Sequence, residues 1–143
     1  SRDTARSDSL RTLRSEPPLS APRTPNVGGQ AFSFAALFPP GEQSVVESVE
    51  AALGAGDGAQ ALASVEQLVA RALASGAALV GSAHDAPRDP ALVALLLGLE
   101  PRRYLRFRAL AREARAGALV PVEAGLSAYA FAIDLRRALR ELA

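Results

Sequence analysis

A chain of 143 residues with 49% apolar residues and a net charge of +1 has room for one compact domain and excludes a wholly disordered protein. It has no Cys and no Trp, and all 16 basic residues are Arg. Disulfides, thiolate-bound zinc, a cysteine nucleophile, a Schiff-base lysine and a phosphate-loop lysine are therefore excluded. A GC-rich coding bias, as in a bacterial source, is the expected cause of the Arg-only basic set, and alanine makes up about a fifth of the chain. Alanine favours helix and occupies little volume, so its helices approach closely while burying little area per contact. The longest apolar run, 91–97, is about a third of a bilayer-spanning helix. No secretory signal is visible, and a first residue of Ser is consistent with removal of an initiator Met. The expectation is a cytoplasmic protein without a membrane span.

In chain order, residues 1–30 read as a disordered Ser, Pro and Arg-rich arm. Its sizeable apolar residues are Leu10, Leu13, Leu19 and Val27, too few to offset chain entropy. Leu10 and Leu13 share a face if residues 7–16 form a turn or two of helix on a partner. The Gly28-Gly29-Gln30 tripeptide, used also by class I peptide-release factors, reads as a flexible hinge. Residues 31–42 form a junction that holds three of the five phenylalanines, Phe32, Phe34 and Phe38, before Pro39-Pro40-Gly41. Phe34, Leu37 and Phe38 can share one helical face, or Phe32 and Phe34 one side of an extended segment. Large side chains at such a place read as an anchor. The domain's own surface is the favoured target, another protein the alternative.

From residue 43 the apolar spacing turns helical. It predicts five helices near 43–54, 58–79, 90–99, 101–116 and 121–142, forming the rest of the domain, 43–143. Asp89 and Pro90 supply a cap and a first-turn proline; Pro101 and Pro121 open the next two helices and Gly117 closes one. Leu92, Val93, Leu95, Leu96, Leu97 and Leu99 surround their helix, which predicts a central, fully buried element. β-Branched residues are few and no strand-like alternation appears. The fold class is all-α: a compact bundle of about five helices in antiparallel hairpins, preceded by a disordered or extended arm.

Residues 53–62 resemble the inter-helix turn of a tetratricopeptide-type hairpin. Gly56, Asp57 and Ala61 stand where that family places a Gly, an Asp or Asn, and a small packing Ala, and Ala52 replaces its large aromatic. The resemblance covers roughly one repeat and implies an antiparallel helix pair.

Candidate chemistry is sparse. His84 is the single histidine, beside Ser82 and Asp85. Neighbours on one loop do not converge as a hydrolase triad does, so a solvated loop is expected. Glu47, Glu50 and Glu66 fall on polar helix sides and read as solvated. Neither a catalytic set nor a metal or cofactor site is predicted. Arg102, Arg103, Arg106, Arg108, Arg112 and Arg115 spread around one helix, and acids in residues 43–79 are available to pair with them. A charge surface facing the domain or a partner is expected, with Arg102 and Arg106 as contact residues and nucleic acid as the lesser alternative. The last helix has two apolar stripes: Leu126, Tyr129, Ala130 and Ile133, and Ala128, Phe131, Leu135, Leu139 and Leu142. One faces the core; the other is buried too, or carries Phe131, Leu135 and Leu139 to a partner. The expected function is a non-enzymatic protein–protein interaction module: an adaptor, scaffold or assembly subunit, with another protein or a second copy as partner and no small-molecule substrate. The alternative of a different class is a small enzyme with an unrecognised site.

Overall fold

The computed structural model describes residues 26–27, 30–80 and 89–142. The chain divides into two units, Ser1–Phe32 and Ser33–Ala143. In the first, β1 (Asn26–Val27) pairs antiparallel with β2 (Gln30–Ala31) in the register Asn26 to Ala31 and Val27 to Gln30. The expectation of a disordered arm, with Leu10 and Leu13, lies otherwise outside the described residues, as do Ser82, His84 and Asp85.

The second unit is all-helical among its described residues. Two 3-10 turns, Ala35–Leu37 and Pro40–Glu42, lead into α1 (Gln43–Gly54), α2 (Gly58–Val80), α3 (Pro90–Leu96), α4 (Pro101–Arg115) and α5 (Val122–Leu142). The starts follow local chemistry. Asp57 Oδ1 accepts from the Gln60 N–H (3.0 Å) at the start of α2, and Asp89 Oδ1 from the Ala91 N–H (3.0 Å) ahead of Pro90. Glu100 Oε1 accepts from the Arg102 N–H (3.2 Å) ahead of Pro101. Each satisfies a first-turn donor that has no partner within the helix.

The central element is α2. It buries Ala61, Leu62, Val65, Leu68, Val69, Ala72 and Leu73, and its packing with α5 and α1 is the most extensive in the molecule. The α1–α2 turn is tight because Gly58 lies against the backbone entering α5. A Cβ there would collide with the carbonyl oxygens of Val120 and Pro121. Further along, Gly125 of α5 rests on Ala61 and Leu53. Small residues thus let these helices approach until backbone meets side chain.

The expected central helix over 90–99 is corrected. α3 has only seven residues and sits at the edge, with Val93 and Ala94 buried while Leu92, Leu95 and Leu96 are 44%, 52% and 50% exposed. It stops early because Gly98 takes φ 87°, and the Leu99 N–H turns back to the Ala94 carbonyl oxygen (2.9 Å). That left-handed C-terminal cap is open to glycine at no steric cost. A two-turn helix with leucine on every side carries more apolar surface than two neighbours can cover.

Candidate functional site

Phe34, Leu37 and Phe38 are structural. Phe38 is 3% exposed within the core, and Phe34 and Leu37 pack against it. Phe34 meets Tyr129 edge-on at 5.9 Å. Two carboxylates hold this segment. Glu50 accepts from the Ser33 hydroxyl (2.6 Å), the Phe34 N–H (2.8 Å) and the Tyr129 hydroxyl (2.6 Å). At the other end, Glu42 accepts from Arg136 Nη2 through both oxygens (3.1 Å each), with both residues buried and the guanidinium over the Phe38 ring. Burial, followed by the hydrogen bond to Glu50 and its charge, raises Tyr129 far above the ordinary tyrosine range. Glu50, expected on a solvated face, is instead a three-donor acceptor. Its signal was present in register: it stands one position after Val49, at the edge of the α1 apolar stripe. The role of Arg136 had no local signal.

Phe131, Leu135 and Leu139, expected as partner contacts, are corrected. They are 2%, 0% and 3% exposed. Both stripes of α5 turn inward because α5 lies across the bundle with neighbours on either side. Leu126, Ala130 and Leu142 alone of those stripes remain outside. Phe131 stacks at a tilt on Phe107 (5.8 Å) and Tyr104 (6.4 Å), which seats α4 on α5.

The exposed surface with unusual content is the edge made by α3 and α4. On α3, Leu92, Leu95 and Leu96 stand three and four positions apart and share one face. On α4, Tyr104, Phe107 and Ala111 face inward. The opposite side carries Arg102, Leu105, Arg106 and Arg112, all exposed. Arg103 is tied to Asp134 (2.8 Å) and Arg115 to Glu66 (2.7 Å). Arg102, Arg106 and Arg112 have no ion pair among the described residues.

Because α4 meets α2 and α5 through so few side chains, a groove opens along each flank. One, of about 320 Å³, lies against α5 and is floored by Phe107, Leu110 and Phe131, with Arg103, Arg106 and Glu113 at its rim. The other, of about 460 Å³, lies against α2 and α3; Ala70, Ala74, Ala77 and Ala111 leave it wide, and Arg108 and Arg115 stand at its rim. The helix is therefore a basic ridge between two largely apolar grooves. The sequence reasoning named Arg102 and Arg106; it missed the α3 leucines by placing them inside, and Leu105 altogether.

Among the described residues, no cluster of three or more His, Cys, Asp or Glu is placed to hold a metal ion, and no helix is long and apolar enough to cross a membrane. Comparison of the chain with protein-family models, with curated proteins and with solved structures finds no match in any of the three.

Proposed function

We propose that the chain is a non-enzymatic, cytoplasmic protein–protein interaction module, acting as an adaptor, scaffold or assembly subunit, that binds through the α3–α4 edge. The observation that carries this reading is the set of half-exposed leucines on one face of α3, Leu92, Leu95 and Leu96. Leucines aligned on a helix face cost solvation when left in water and gain it when a partner covers them. A helix-face contact of this kind concentrates its affinity in a few apolar anchors. Phe34, Leu37 and Phe38 drop out of the proposal, since their own domain uses them. Leu10 and Leu13 stay in it as an arm contact.

The test compares affinity capture by the full-length chain and by a Leu92→Ser, Leu95→Ser, Leu96→Ser variant. A second copy counts as a partner and is read by light scattering. The expected result is a specific partner that the parent retains and the variant loses, with the variant's thermal melt as cooperative as the parent's. Identical profiles for the two chains, empty or not, overturn the reading. Nucleic-acid binding through α4 is the second reading, favoured by Arg102, Arg106 and Arg112, which have no ion pair among the described residues. It predicts binding that weakens steeply with salt, whereas apolar anchoring weakens little.

A further inference from the structure

Arg102, Leu105, Arg106, Ala109 and Arg112 recur at intervals of three or four residues and so lie along the outer side of α4. Leu105 is 56% exposed among these arginines. Across its fifteen residues α4 carries six arginines against one glutamate. Arg102 and Arg106, and likewise Arg108 and Arg112, stand four apart, a spacing at which like charges oppose the helix. The fold commits Asp134, Glu66 and Glu42 to Arg103, Arg115 and Arg136. Among the described residues, the outer arginines are thus left with each other and the single Glu113 as close charged neighbours, beside a groove floored by apolar side chains.

We propose that this face and the groove between α4 and α5 bind an acidic amphipathic helix of a partner protein. Carboxylates three or four positions apart on that helix would meet Arg102 and Arg106, and an apolar side chain between them would cover Leu105 and enter the groove over Leu110. The proposal rests on the interaction-module reading and names the partner's chemistry. Charge complementarity selects the acidic partner, and it sets encounter rate and specificity more than area does. The burial pattern selects a peptide over a single-stranded nucleic acid. A single strand needs exposed aromatic faces for its bases. Here Tyr104, Phe107, Tyr129 and Phe131 are all at most 7% exposed, and the exposed apolar groups of α3 and α4 are leucines. A phosphodiester chain would also gain nothing from an apolar groove floor.

The experiment titrates the isotope-labelled full chain with three synthetic helical peptides of equal length, Leu/Glu, Leu/Lys and Leu/Gln, and with a thymidine oligonucleotide. The Leu/Glu peptide is expected to shift the amides of residues 102–110 and 124–131, and the Leu/Lys peptide to leave them in place. In an Arg102→Glu, Arg106→Glu variant the Leu/Glu affinity should fall about tenfold or more, and the Leu/Lys peptide should gain binding. An Arg102→Gln, Arg106→Gln variant reads the same loss if the charge reversal impairs folding. Equal binding of the Leu/Glu and Leu/Lys peptides, an unaffected variant, or tighter binding of the oligonucleotide overturns the proposal. If the Leu/Gln peptide binds at residues 92–96 and charge has no effect, the proposal falls and the module reading stands. If no peptide shifts any amide, the proposal falls, and the capture comparison decides the module reading.

Discussion

At the scale of single residues, stability rests on two carboxylates that grip residues 33–42. Glu42 and Arg136 are 6% and 7% exposed, and Arg136 Nε is buried with no hydrogen-bond partner among the described residues. Removing one member of such a pair leaves an uncompensated buried charge, whereas replacing both with apolar groups does not. Glu42→Ala is therefore expected to cost about 3 kcal/mol or more, and Glu42→Leu combined with Arg136→Met much less; urea denaturation of the single and double variants measures both. Tyr129 adds a pH dependence. Its folded pKa is raised from an ordinary value of 10.0, so the fold holds a proton that the unfolded chain releases. The tyrosine's contribution is complete below about pH 10 and is lost as pH rises above it. Tyr129→Phe should be about 1 kcal/mol less stable than the parent at neutral pH, with the gap narrowing as pH passes about 10. Denaturation curves near pH 8 and pH 11 decide this; a constant gap would refute it.

At the scale of elements, α3 and the α1–α2 turn make opposite cases. On α3 an introduced charge has a cost set by which side it enters. Leu96→Asp, on a residue 50% exposed, should leave a cooperative melt, whereas Val93→Asp, on a residue 2% exposed, buries an unpaired carboxylate. The latter is expected to cost several kcal/mol, comparable to the stability of a small domain. Circular dichroism melts of the two variants separate an edge helix from a central one. At the turn, Gly58 has no room for one carbon. Gly58→Ala drives a methyl into the Val120 and Pro121 carbonyls, so α2 and α5 must separate or the turn must shift. Overpacking against backbone of this kind costs about 1–3 kcal/mol, even though alanine is the better helix former. An alanine variant as stable as the parent would show that the turn yields.

At the scale of the whole molecule, the helical unit begins ten residues before its first α-helix. Residues 33–42 contribute Phe38 to the core, Glu42 to Arg136, and two donors to Glu50. A chain starting at Ser33 keeps all of these, and one starting at Gln43 loses all of them. The longer truncation removes about 2–3 kcal/mol of phenylalanine burial and leaves Arg136 buried without its acid, for about 3 kcal/mol more. Against a total of about 5–15 kcal/mol, the expectation is a native-like melt for the first chain and a broad or absent transition for the second.

The sequence by itself determined where the helices are. Periodic apolar residues, Asp89 as a cap, and prolines at 90, 101 and 121 all act within a few positions of themselves, so they are legible without the fold. It also placed three of the five phenylalanines in the junction and offered the domain's own surface as their target, where Phe34 and Phe38 pack while Phe32 is 60% exposed. Tertiary structure decided what each helix faces. Leu96 and Leu135 are the same residue type, and Leu96 has the more apolar neighbours in sequence, yet Leu96 is half exposed and Leu135 is fully buried, because α3 has neighbours on one side and α5 on several. Glu42 and Arg136 are 94 positions apart, and nothing local distinguishes Arg136 from the exposed Arg137 next to it. The residues of the α3–α4 edge were visible as types, and their exposure was not. Burial is a property of what packs from elsewhere in the chain, and a helix's own periodicity reports only which of its sides would prefer to be covered.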